Sequence, residues 1–346
     1  MARNNDTEVV ERVLVTRFSA IGDVAMTIPA LYDACAANPA TEFVMLTRRG
    51  LDGIFLSKPT NLHVEGVDLQ QYKGICGMWR LLRNVQRRYG RFDRMVDLHD
   101  VIRTRLLRIF ARLHGIMAVR IDKGRYAKKQ AVRRGGRGGV RVALPSQQTR
   151  YRATFVEAGL PCPEHFNGLP HKELANLPAG INIGIAPFAA HQGKIYPTEL
   201  MEQVVAGLVE RGAHVWLFGG KGREQTICRG WAEKYGPTVH SLAGEGRGFA
   251  GEMELMAHLD AMLSMDSANM HLAALMGTRV VSIWGATHPC CGFAPCGQDP
   301  DDMVQLNEVV CRPCSVYGNK PCAHGDYRCL SKIAPQTIID KLLTTN

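Results

Sequence analysis

Long apolar runs are missing from this sequence. Its longest, such as RVVSIWGA, is far shorter than the roughly 20 residues that a membrane-spanning helix needs. The first residues, MARNNDTEVVERVLVTRF, are polar and then strand-like, without the apolar core of a signal peptide, so we expect a cytoplasmic protein. No repeat with a period of 20 to 50 residues occurs, which excludes a solenoid or a propeller.

Two common signatures of phosphate binding are also missing. The sequence contains no GxxxxGK[ST], which excludes a P-loop enzyme. No DxD-type pair stands at the end of a predicted strand, and DPDD at 299–302 is interpreted as a solvated loop. A bound diphosphate would therefore need its positive charge from side chains or from the N-terminus of a helix.

Acidic residues are fewer than basic ones, 32 against 42, which gives a formal net charge of +10. A basic surface favours anionic partners. Residues 118–141 carry nine Lys or Arg and one acid. This segment is either a solvated loop or a patch that binds an anionic substrate or lipid headgroups. It contains one aromatic residue, Tyr126, which disfavours binding to single-stranded nucleic acid.

Short apolar runs alternate with amphipathic stretches along the whole chain, which predicts parallel sheets covered by helices. A length of 346 residues suggests two domains. Residues 159–180 hold four prolines and three glycines and form the best candidate for a linker. We predict domains at 1–170 and 171–346, with the last helix free to pack back on the first domain. The predicted strands are 13–18, 43–47, 62–67, 94–99, 116–121, 181–188, 214–219, 261–265 and 279–285, and the predicted helices are 23–37, 78–90, 102–113, 197–212, 223–236, 267–277 and 335–343.

The first predicted strand leads into RFSAIGDVAMTIPAL, a glycine turn that opens onto a helix and carries Asp23. Ligands of doubly wound sheets bind at the carboxyl ends of the strands. A helix N-terminus there usually attracts anions, so a carboxylate is unexpected. If Gly22 allows a tight turn, Asp23 projects toward the ligand and can act as a general base.

Three segments of the second half carry polar residues at predicted strand ends. In SMDSANMHLAALMG, Asp266 ends a strand, Ser267 is a natural N-cap, and the free N–H groups that follow could hold a diphosphate. Each side chain also has a simpler interpretation. His271 could be a buried structural histidine, Lys194 in IAPFAAHQGKIYP a solvated lysine, and Glu224 in FGGKGREQTIC a partner of the helix dipole.

One GxGxxG occurs, at Gly246, Gly248 and Gly251. A strand-like segment precedes it, and Asp266 lies twenty residues after Gly246. This arrangement fits an NAD(P)-dependent oxidoreductase. However, the dinucleotide fingerprint normally follows the first strand of its fold, and this one lies late in the second half. We retain the oxidoreductase as an alternative function.

Two of these segments together resemble a known family. RFSAIGDVAMTIPAL resembles the N-terminal signature of the heptosyltransferases (glycosyltransferase family 9), and MDSANMHLAALMGTRVVSIWGATHP resembles their C-terminal signature. The resemblance covers residues 12–343. It implies an α/β fold of GT-B architecture, with two Rossmann-like doubly wound domains facing across a cleft. It also implies an inverting, metal-independent glycosyltransferase that needs no cofactor and, in the best-known members, moves heptose from ADP-heptose onto the lipopolysaccharide core.

The resemblance also implies roles for single residues. Asp23 would be the general base, and the first domain would bind a lipid-linked anionic saccharide acceptor at the cytoplasmic face of the inner membrane. The basic segment 120–141 and the helix at 102–113 would meet the acceptor and the bilayer, and no nucleic acid would bind. The implied acceptor-binding residues are Ser19, Gly22, Arg103 and Arg120. The implied donor-binding residues are Lys194, Glu224, Asp266, Ser267, Ala268 and His271.

Seven of the eleven cysteines lie between residues 290 and 329. Four of them, Cys311, Cys314, Cys322 and Cys329, include one CxxC pair and could form a structural zinc site. The second pair is not CxxC, so free thiols are the alternative interpretation. A zinc module beside the basic segment would also suit a nucleic-acid-binding protein, whose affinity should depend steeply on salt. That function leaves the paired motifs at strand ends unexplained.

Overall fold

The computed structural model describes residues 10–136, 138–139, 141–172 and 177–344. They group into two compact units. The first comprises the described residues of Met1–Lys123 and Gln148–Phe166, and the second those of Gly124–Gln147 and Asn167–Asn346. The chain thus passes from one unit to the other inside the predicted linker 159–180. Contrary to our prediction, the basic stretch Gly124–Gln147 belongs to the second unit.

The first unit contains a five-stranded parallel sheet in the order β3-β2-β1-β4-β5. Its central strand β1 is apolar and buried, as expected of a parallel strand covered on both faces. Up to residue 158, the strands are β1 (Glu11–Thr16), β2 (Thr41–Arg48), β3 (Leu62–Val67), β4 (Arg94–Asp97) and β5 (Met117–Arg120), and the helices are α1 (Ile21–Ala25), α2 (Thr27–Ala37), α3 (Gly74–Tyr89), α4 (Ile102–Leu113), α5 (Arg125–Gly135) and α6 (Gln147–Glu157).

The second unit contains a six-stranded parallel sheet in the order β11-β10-β9-β6-β7-β8. Counted from its own first strand, this is the 3-2-1-4-5-6 order of dinucleotide-binding folds. The strands are β6 (Asn182–Ala186), β7 (His214–Leu217), β8 (Val239–Ser241), β9 (Ala261–Met265), β10 (Val280–Ile283) and β11 (Met303–Val304), and the helices are α7 (Thr198–Val209), α8 (Arg223–Tyr235), α9 (Gly248–Met256), α10 (Ala268–Leu275), α11 (Arg328–Ser331) and α12 (Pro335–Leu343).

The helix predicted at 23–37 is two helices, α1 and α2. Pro29 has no N–H group to donate to the carbonyl of Ala25, so the helical hydrogen-bond ladder is interrupted near Met26. The first helix starts at Ile21, two residues before the predicted start. Gly22 therefore lies inside α1 and does not form the tight turn that we predicted.

The last helix, α12, packs on α7, β9 and β10 of the second unit. Its apolar side chains Ile338, Ile339 and Leu342 join the core around β6 and β9. The helix α12 thus belongs to the core of the second unit, because its apolar face is buried there. No helix among the described residues is long and apolar enough to cross a bilayer.

Each sheet has one point where the strand order reverses, between β1 and β4 in the first unit and between β6 and β9 in the second. Loops that leave such a point diverge to opposite faces of the sheet and open a crevice at the carboxyl ends of the strands. The loops after β4, β6 and β9 carry His99, Lys194 and Asp266, and the helix α1, which follows the loop after β1, carries Asp23. The fold therefore places the sequence-predicted residues of each unit at its ligand-binding edge.

Candidate active site

Asp23 lies in the first turn of α1, directly after the loop that leaves β1. Its Oδ2 atom is 2.6 Å from Arg17 Nη2 and accepts a hydrogen bond of 3.3 Å from the Ala20 N–H. The carboxylate thus accepts a hydrogen bond from a backbone amide at the N-terminus of α1, where an external anion could otherwise bind. Its side chain is 25% exposed, and Oδ1 has no hydrogen-bond partner in the described part of the chain.

Arg17 anchors this carboxylate from below. It is buried, it donates to the Leu98 carbonyl over 2.7 Å, and its guanidinium lies 6.0 Å from the ring centre of Tyr151. The Tyr151 hydroxyl in turn donates to the Asp23 carbonyl over 3.2 Å. Arg17 and Tyr151 thus hold α1 from two sides, and neither was identified from the sequence.

His99, in the loop after β4, completes this site. Its Nδ1 accepts from the Phe18 N–H over 3.3 Å, so the proton of the neutral ring is on Nε2, 3.4 Å from Ser19 Oγ. Burial, together with the nearby charges of Arg17 and Lys123, lowers the pKa of His99 to about 3. The imidazole is therefore neutral at physiological pH and orients Ser19, one of the predicted acceptor residues.

The two predicted acceptor arginines differ in their surroundings. Arg103 is exposed in the first turn of α4 and makes no ion pair with the described residues. Its positive charge contributes to the lowered pKa of His99. Arg120 ends β5 and is exposed, with Nη1 3.6 Å from Asp100 Oδ2.

Asp100 forms ion pairs with several arginines at this edge of the sheet. It accepts two hydrogen bonds from Arg105, at 3.0 and 3.2 Å, and lies 3.4 Å from Arg108 Nη2. The hydrogen bonds from Arg105 lower the pKa of Asp100 to about 2, so its charge persists at all physiological pH values. Arg108 also pairs with buried Asp97 at 3.2 Å. With Arg103 and Arg120 added, cations outnumber carboxylates here, as an anionic ligand requires.

In the second unit, Lys194 and Asp266 are in contact. Lys194 Nζ is 2.9 Å from Asp266 Oδ2, and the same oxygen accepts a hydrogen bond of 2.7 Å from Thr287 Oγ1. Both side chains of the ion pair are mostly buried. A carboxylate would repel a diphosphate, so Asp266 fits a role in orienting Lys194 better than the direct contact that we predicted.

The helix α10 begins directly after Asp266. Its N-cap, Ser267, has an extended backbone and makes no side-chain cap; its hydroxyl lies 3.2 Å from that of Ser264 instead. The first-turn N–H groups of α10, starting with Ala268, are thus left without a side-chain cap. Such amides bind anions well. His271 follows one turn later and is buried.

Glu224 lies in the first turn of α8, which follows β7. In the sheet, β7 is adjacent to β6 on the side away from β9. Its Oε2 accepts a hydrogen bond of 2.7 Å from the Gly220 N–H. In dinucleotide-binding folds, an acid at the end of the corresponding strand accepts hydrogen bonds from a ribose. Glu224 is half-buried and has one carboxylate oxygen left for such a role.

The GxGxxG glycines lie after β8, at the edge of the sheet. Gly246, in the loop before α9, and Gly248, the first residue of that helix, have positive φ values, of 76° and 68°. A dinucleotide fingerprint would instead follow β6, the first strand of this unit. The position of these glycines therefore speaks against the oxidoreductase.

The loop after β10 joins the donor-side residues to the basic segment. The Leu144 N–H donates to the Cys290 carbonyl over 2.9 Å, and the Gln147 N–H donates to the Gly292 carbonyl over 2.8 Å. Buried Lys128 donates to Gln147 Oε1 over 3.1 Å, and its ammonium lies 4.1 Å from the ring centre of Phe293. These contacts explain why this segment belongs to the second unit.

Buried Arg312 fixes the same loop from behind. It donates to the backbone carbonyls of Trp284, Gly285, Thr287 and Leu306, and no carboxylate of the described residues pairs with it. Burial lowers the pKa of Arg312 to about 10, which still leaves it charged. Nothing in the sequence distinguished Arg312 or Thr287 from other loop residues, since their partners are backbone atoms and a distant aspartate.

The predicted zinc ligands do not form a metal-binding group in the structure. Cys311 and Cys314 are adjacent, with the Cys314 thiol donating to the Cys311 carbonyl over 3.3 Å, and Cys329 is buried nearby. Within the described ranges, no three His, Cys, Asp or Glu side chains are close enough together to hold a metal ion. All eleven cysteines are free thiols.

Comparison with known proteins agrees with this architecture. The sequence profile of glycosyltransferase family 9 (heptosyltransferase) matches residues 145–321, just over half of the chain. Lipopolysaccharide heptosyltransferase 1 of Pseudomonas aeruginosa PAO1 is 27% identical over 321 residues, which are 88% of this chain and 86% of the relative.

Two solved structures show the same fold. ADP-heptose lipopolysaccharide heptosyltransferase II of E. coli matches with a TM-score of 0.67 and 18% identity, over 96% of this chain and 97% of that one. E. coli heptosyltransferase WaaC with ADP matches with a TM-score of 0.63 and 21% identity, over 96% and 99% of the two chains. The predicted α/β fold of GT-B architecture is thereby confirmed. The chain belongs to glycosyltransferase family 9, the heptosyltransferases.

Proposed function

We propose that this glycosyltransferase moves heptose from ADP-heptose onto a lipid-linked lipopolysaccharide core acceptor, with inversion and with Asp23 as the general base. The observation that carries the proposal is the Lys194–Asp266–Thr287 cluster beside the uncapped N-terminus of α10. This cluster offers positive charge at the ligand-binding edge of a dinucleotide-type sheet. The names of the relatives support the choice of donor and acceptor.

On the donor side, Lys194 and the first amides of α10 hold the diphosphate and stabilise the charge that develops as it leaves. Asp266 and Thr287 keep the Lys194 ammonium in place, because Asp266 Oδ2 contacts both side chains. Glu224 accepts from the ribose hydroxyls with the oxygen that Gly220 does not use. His271 lies buried in the first turns of α10, close in sequence to these amides. These groups supply the charge without a metal ion.

On the acceptor side, one carboxylate oxygen of Asp23 is fixed and the other is open. Arg17 and the Ala20 N–H hold Oδ2. The orientation of the carboxylate is therefore fixed, and with it the direction of the Oδ1 lone pairs. An acceptor hydroxyl there can lose its proton to Oδ1 while its oxygen attacks the anomeric carbon in line with the departing ADP. A single displacement of this kind inverts the configuration. Arg103 and Arg120 bind the anionic groups of the acceptor, and Ser19, whose hydroxyl lies 3.4 Å from His99 Nε2, also contacts the acceptor.

Because the acceptor is lipid-linked, we further propose that the protein works at the cytoplasmic face of the inner membrane. The basic surface around Asp100 would then face phosphorylated or carboxylated sugars at the bilayer. The four C-terminal cysteines take no part in this reaction. Nucleic acid is not expected to compete, since Lys128, the central cation of the basic segment, is buried against Phe293.

The test is transfer of heptose from ADP-heptose to a core acceptor by the purified protein and by Asp23→Asn. Asparagine keeps the shape and the contact with Arg17 but cannot accept the proton, so kcat should fall by about 10²-fold or more. Stabilisation by ADP in a thermal-shift assay should be unchanged, because ADP binds at the second unit. A chelator should leave turnover unchanged.

Asp301→Asn, the same change on an exposed loop of the second unit, is the matched control and should retain full activity. Full turnover by Asp23→Asn would refute the role of Asp23 while leaving the donor assignment intact. A panel of ADP-, GDP- and UDP-sugars in the same thermal-shift assay tests the donor. Stabilisation by a GDP- or UDP-sugar in place of ADP-heptose would overturn that assignment.

A further inference from the structure

Helices α3 and α4 cover one face of the first sheet and pack side by side. Their inner sides join the core through residues such as Leu81, Leu82, Leu107 and Ala111. Their outer sides are not part of that core. We refer to the outer sides of these two helices as the α3/α4 surface.

The outer side of α4 is apolar along its whole length. Ile102 is 77% exposed, Ile109 53% and Leu113 77%. At 100° per residue, these three side chains fall on one side of the helix, opposite Leu107 and Ala111. A helix in contact with water only would carry polar residues at these positions, and a row of exposed aliphatic side chains indicates a binding surface.

The outer side of α3 continues this composition. Ile75 and Trp79 are exposed near its start, and Trp79 is 40% exposed. The Arg83 guanidinium lies 4.5 Å from the ring centre of Trp79. Tryptophan beside a cation is typical of segments that lie at the boundary between lipid headgroups and acyl chains.

The charge of the α3/α4 surface has one sign. Each helix contains four arginines and no acidic residue: Arg80, Arg83, Arg87 and Arg88 in α3, and Arg103, Arg105, Arg108 and Arg112 in α4. Arg88 pairs with Glu65, and Arg105 and Arg108 pair with Asp100. The others form no ion pair within the part of the chain that the structure describes, and this leaves a net positive surface.

From this combination we infer that the α3/α4 surface is a docking site for an anionic lipid bilayer. Exposed aliphatic and indole groups enter the headgroup layer, and the arginines bind the lipid phosphates. An acidic protein would satisfy the charge but would not need a continuous row of exposed Ile and Leu. The inference deepens the proposed function and rests on it for the choice of a bilayer, because a lipid-linked acceptor lies at such a surface.

The assignment differs from the expectation for the sequence. The sequence predicted lipid contact for the basic segment 120–141, but Lys128 of that segment is buried in the second unit. Helix 102–113 keeps its expected role, and α3 is added to it. The outer sides of both helices lie on the first unit, which also carries the proposed acceptor residues Arg103 and Arg120.

The first experiment is flotation of the full chain with vesicles of phosphatidylcholine alone or mixed with phosphatidylglycerol, without acceptor or donor. Binding should require phosphatidylglycerol and weaken with added salt. The partition coefficient should fall about tenfold or more in Arg83→Gln/Arg87→Gln, and likewise in Ile109→Ser/Leu113→Ser. The matched control Arg229→Gln/Lys332→Gln removes the same charge from the second unit and should bind as the unchanged protein does.

Tryptophan fluorescence gives an independent readout. Trp79 is the one exposed tryptophan, whereas Trp231 and Trp284 are buried and Trp216 is half-buried. Emission should therefore shift to the blue on binding to phosphatidylglycerol vesicles, and this shift should vanish in Trp79→Phe. An unchanged shift in Trp79→Phe would overturn the inference.

Two further results would also overturn it. One is no binding of the unchanged protein to phosphatidylglycerol vesicles. The other is a dimer in sedimentation that Ile109→Ser/Leu113→Ser dissociates, which would make the α3/α4 surface an interface between two copies. Transfer to a water-soluble, deacylated acceptor separates this inference from the proposed function: the surface variants should keep that activity, and its absence in the unchanged protein would refute the function but not the lipid binding.

Discussion

His99 shows how burial determines protonation in the candidate site. Its Nδ1 accepts from a backbone N–H, and protonation would place a second N–H against that donor. Arg17, Lys123 and Arg103 add positive charge around the ring. The folded state therefore disfavours the imidazolium strongly, and this preference makes stability depend on pH.

We expect His99→Gln to weaken that dependence. The pKa of His99 is about 3 in the folded protein and near 6.5 in the unfolded chain, so between these values the unfolded chain binds a proton that the folded one does not. The stabilisation is present above pH 6.5 and is lost as the pH falls toward 3, at up to about 1.4 kcal/mol per pH unit. Glutamine can accept from Phe18 and donate to Ser19 but does not titrate.

Urea unfolding at several pH values between 4 and 7 measures this slope. The slope should be smaller for His99→Gln than for the unchanged protein. His114→Gln, at the exposed C-cap of α4, is the matched control for the replacement of a histidine by glutamine. Parallel slopes for His99→Gln and the unchanged protein would contradict the account of this residue.

At the scale of elements, the short helix Gln192–Lys194 is held by close packing. A Cβ atom on Gly193 would lie 2.8 Å from Ala286 Cβ and 3.1 Å from the Gly318 carbonyl oxygen. The Gly193 carbonyl also accepts from the Ala286 N–H over 2.8 Å. Glycine at 193 thus lets the loop after β6 approach the loop after β10, and this approach brings Lys194 to Asp266.

Gly193→Ala should therefore displace Lys194. The overlap should lower the free energy of unfolding by about 1–3 kcal/mol, and the misplaced ammonium should raise the KM for ADP-heptose about tenfold. Gly230→Ala is the matched control, because Gly230 is exposed in α8 with no atom within 4 Å of the added Cβ. It should raise the stability by about 0.5–1 kcal/mol at unchanged KM. Equal KM values for the two variants would contradict the role of the packing.

The sequence predicted elements well where one local signal determined them. The periodic pattern of IRTRLLRIFARL and the apolar run AMLSM gave the bounds of α4 and β9 correctly. The sequence pattern predicted neither α5 nor α6. In α5, the sequence RYAKKQAVRRG lacks an apolar stripe, and the helix is fixed by tertiary contacts of Lys128 with Gln147 and Phe293. Such contacts between distant segments leave no local pattern.

The same limit applies at the scale of the whole molecule. The motif residues Asp23, Lys194 and Asp266 could be found because short segments carry them to strand ends. Thr287 and Arg312 could not, since each acts on partners that the fold alone brings near. Arg17 lies in the same motif as Asp23, but its contact with the distant Leu98 carbonyl left no signal in the sequence. The return of Gly124–Gln147 to the second unit was equally hidden, because composition marks a basic stretch but not the surface on which it packs.

The division into two units predicts where a nucleotide acts. ADP should bind the second unit through Lys194, the start of α10 and Glu224, and at a hundred times its Kd it adds about 2.7 kcal/mol to the stability of the state that binds it. Amide hydrogen exchange with and without ADP measures this segment by segment. Exchange should slow in the loop 187–194, in 219–224 and at 266–271, because these segments would surround the nucleotide. The loop 17–23 should exchange at an unchanged rate in ADP alone, and Lys194→Met should abolish the protection of the second unit. Protection of 17–23 with no effect at 266–271 would place the nucleotide on the first unit, and would then assign Asp23 to a different role.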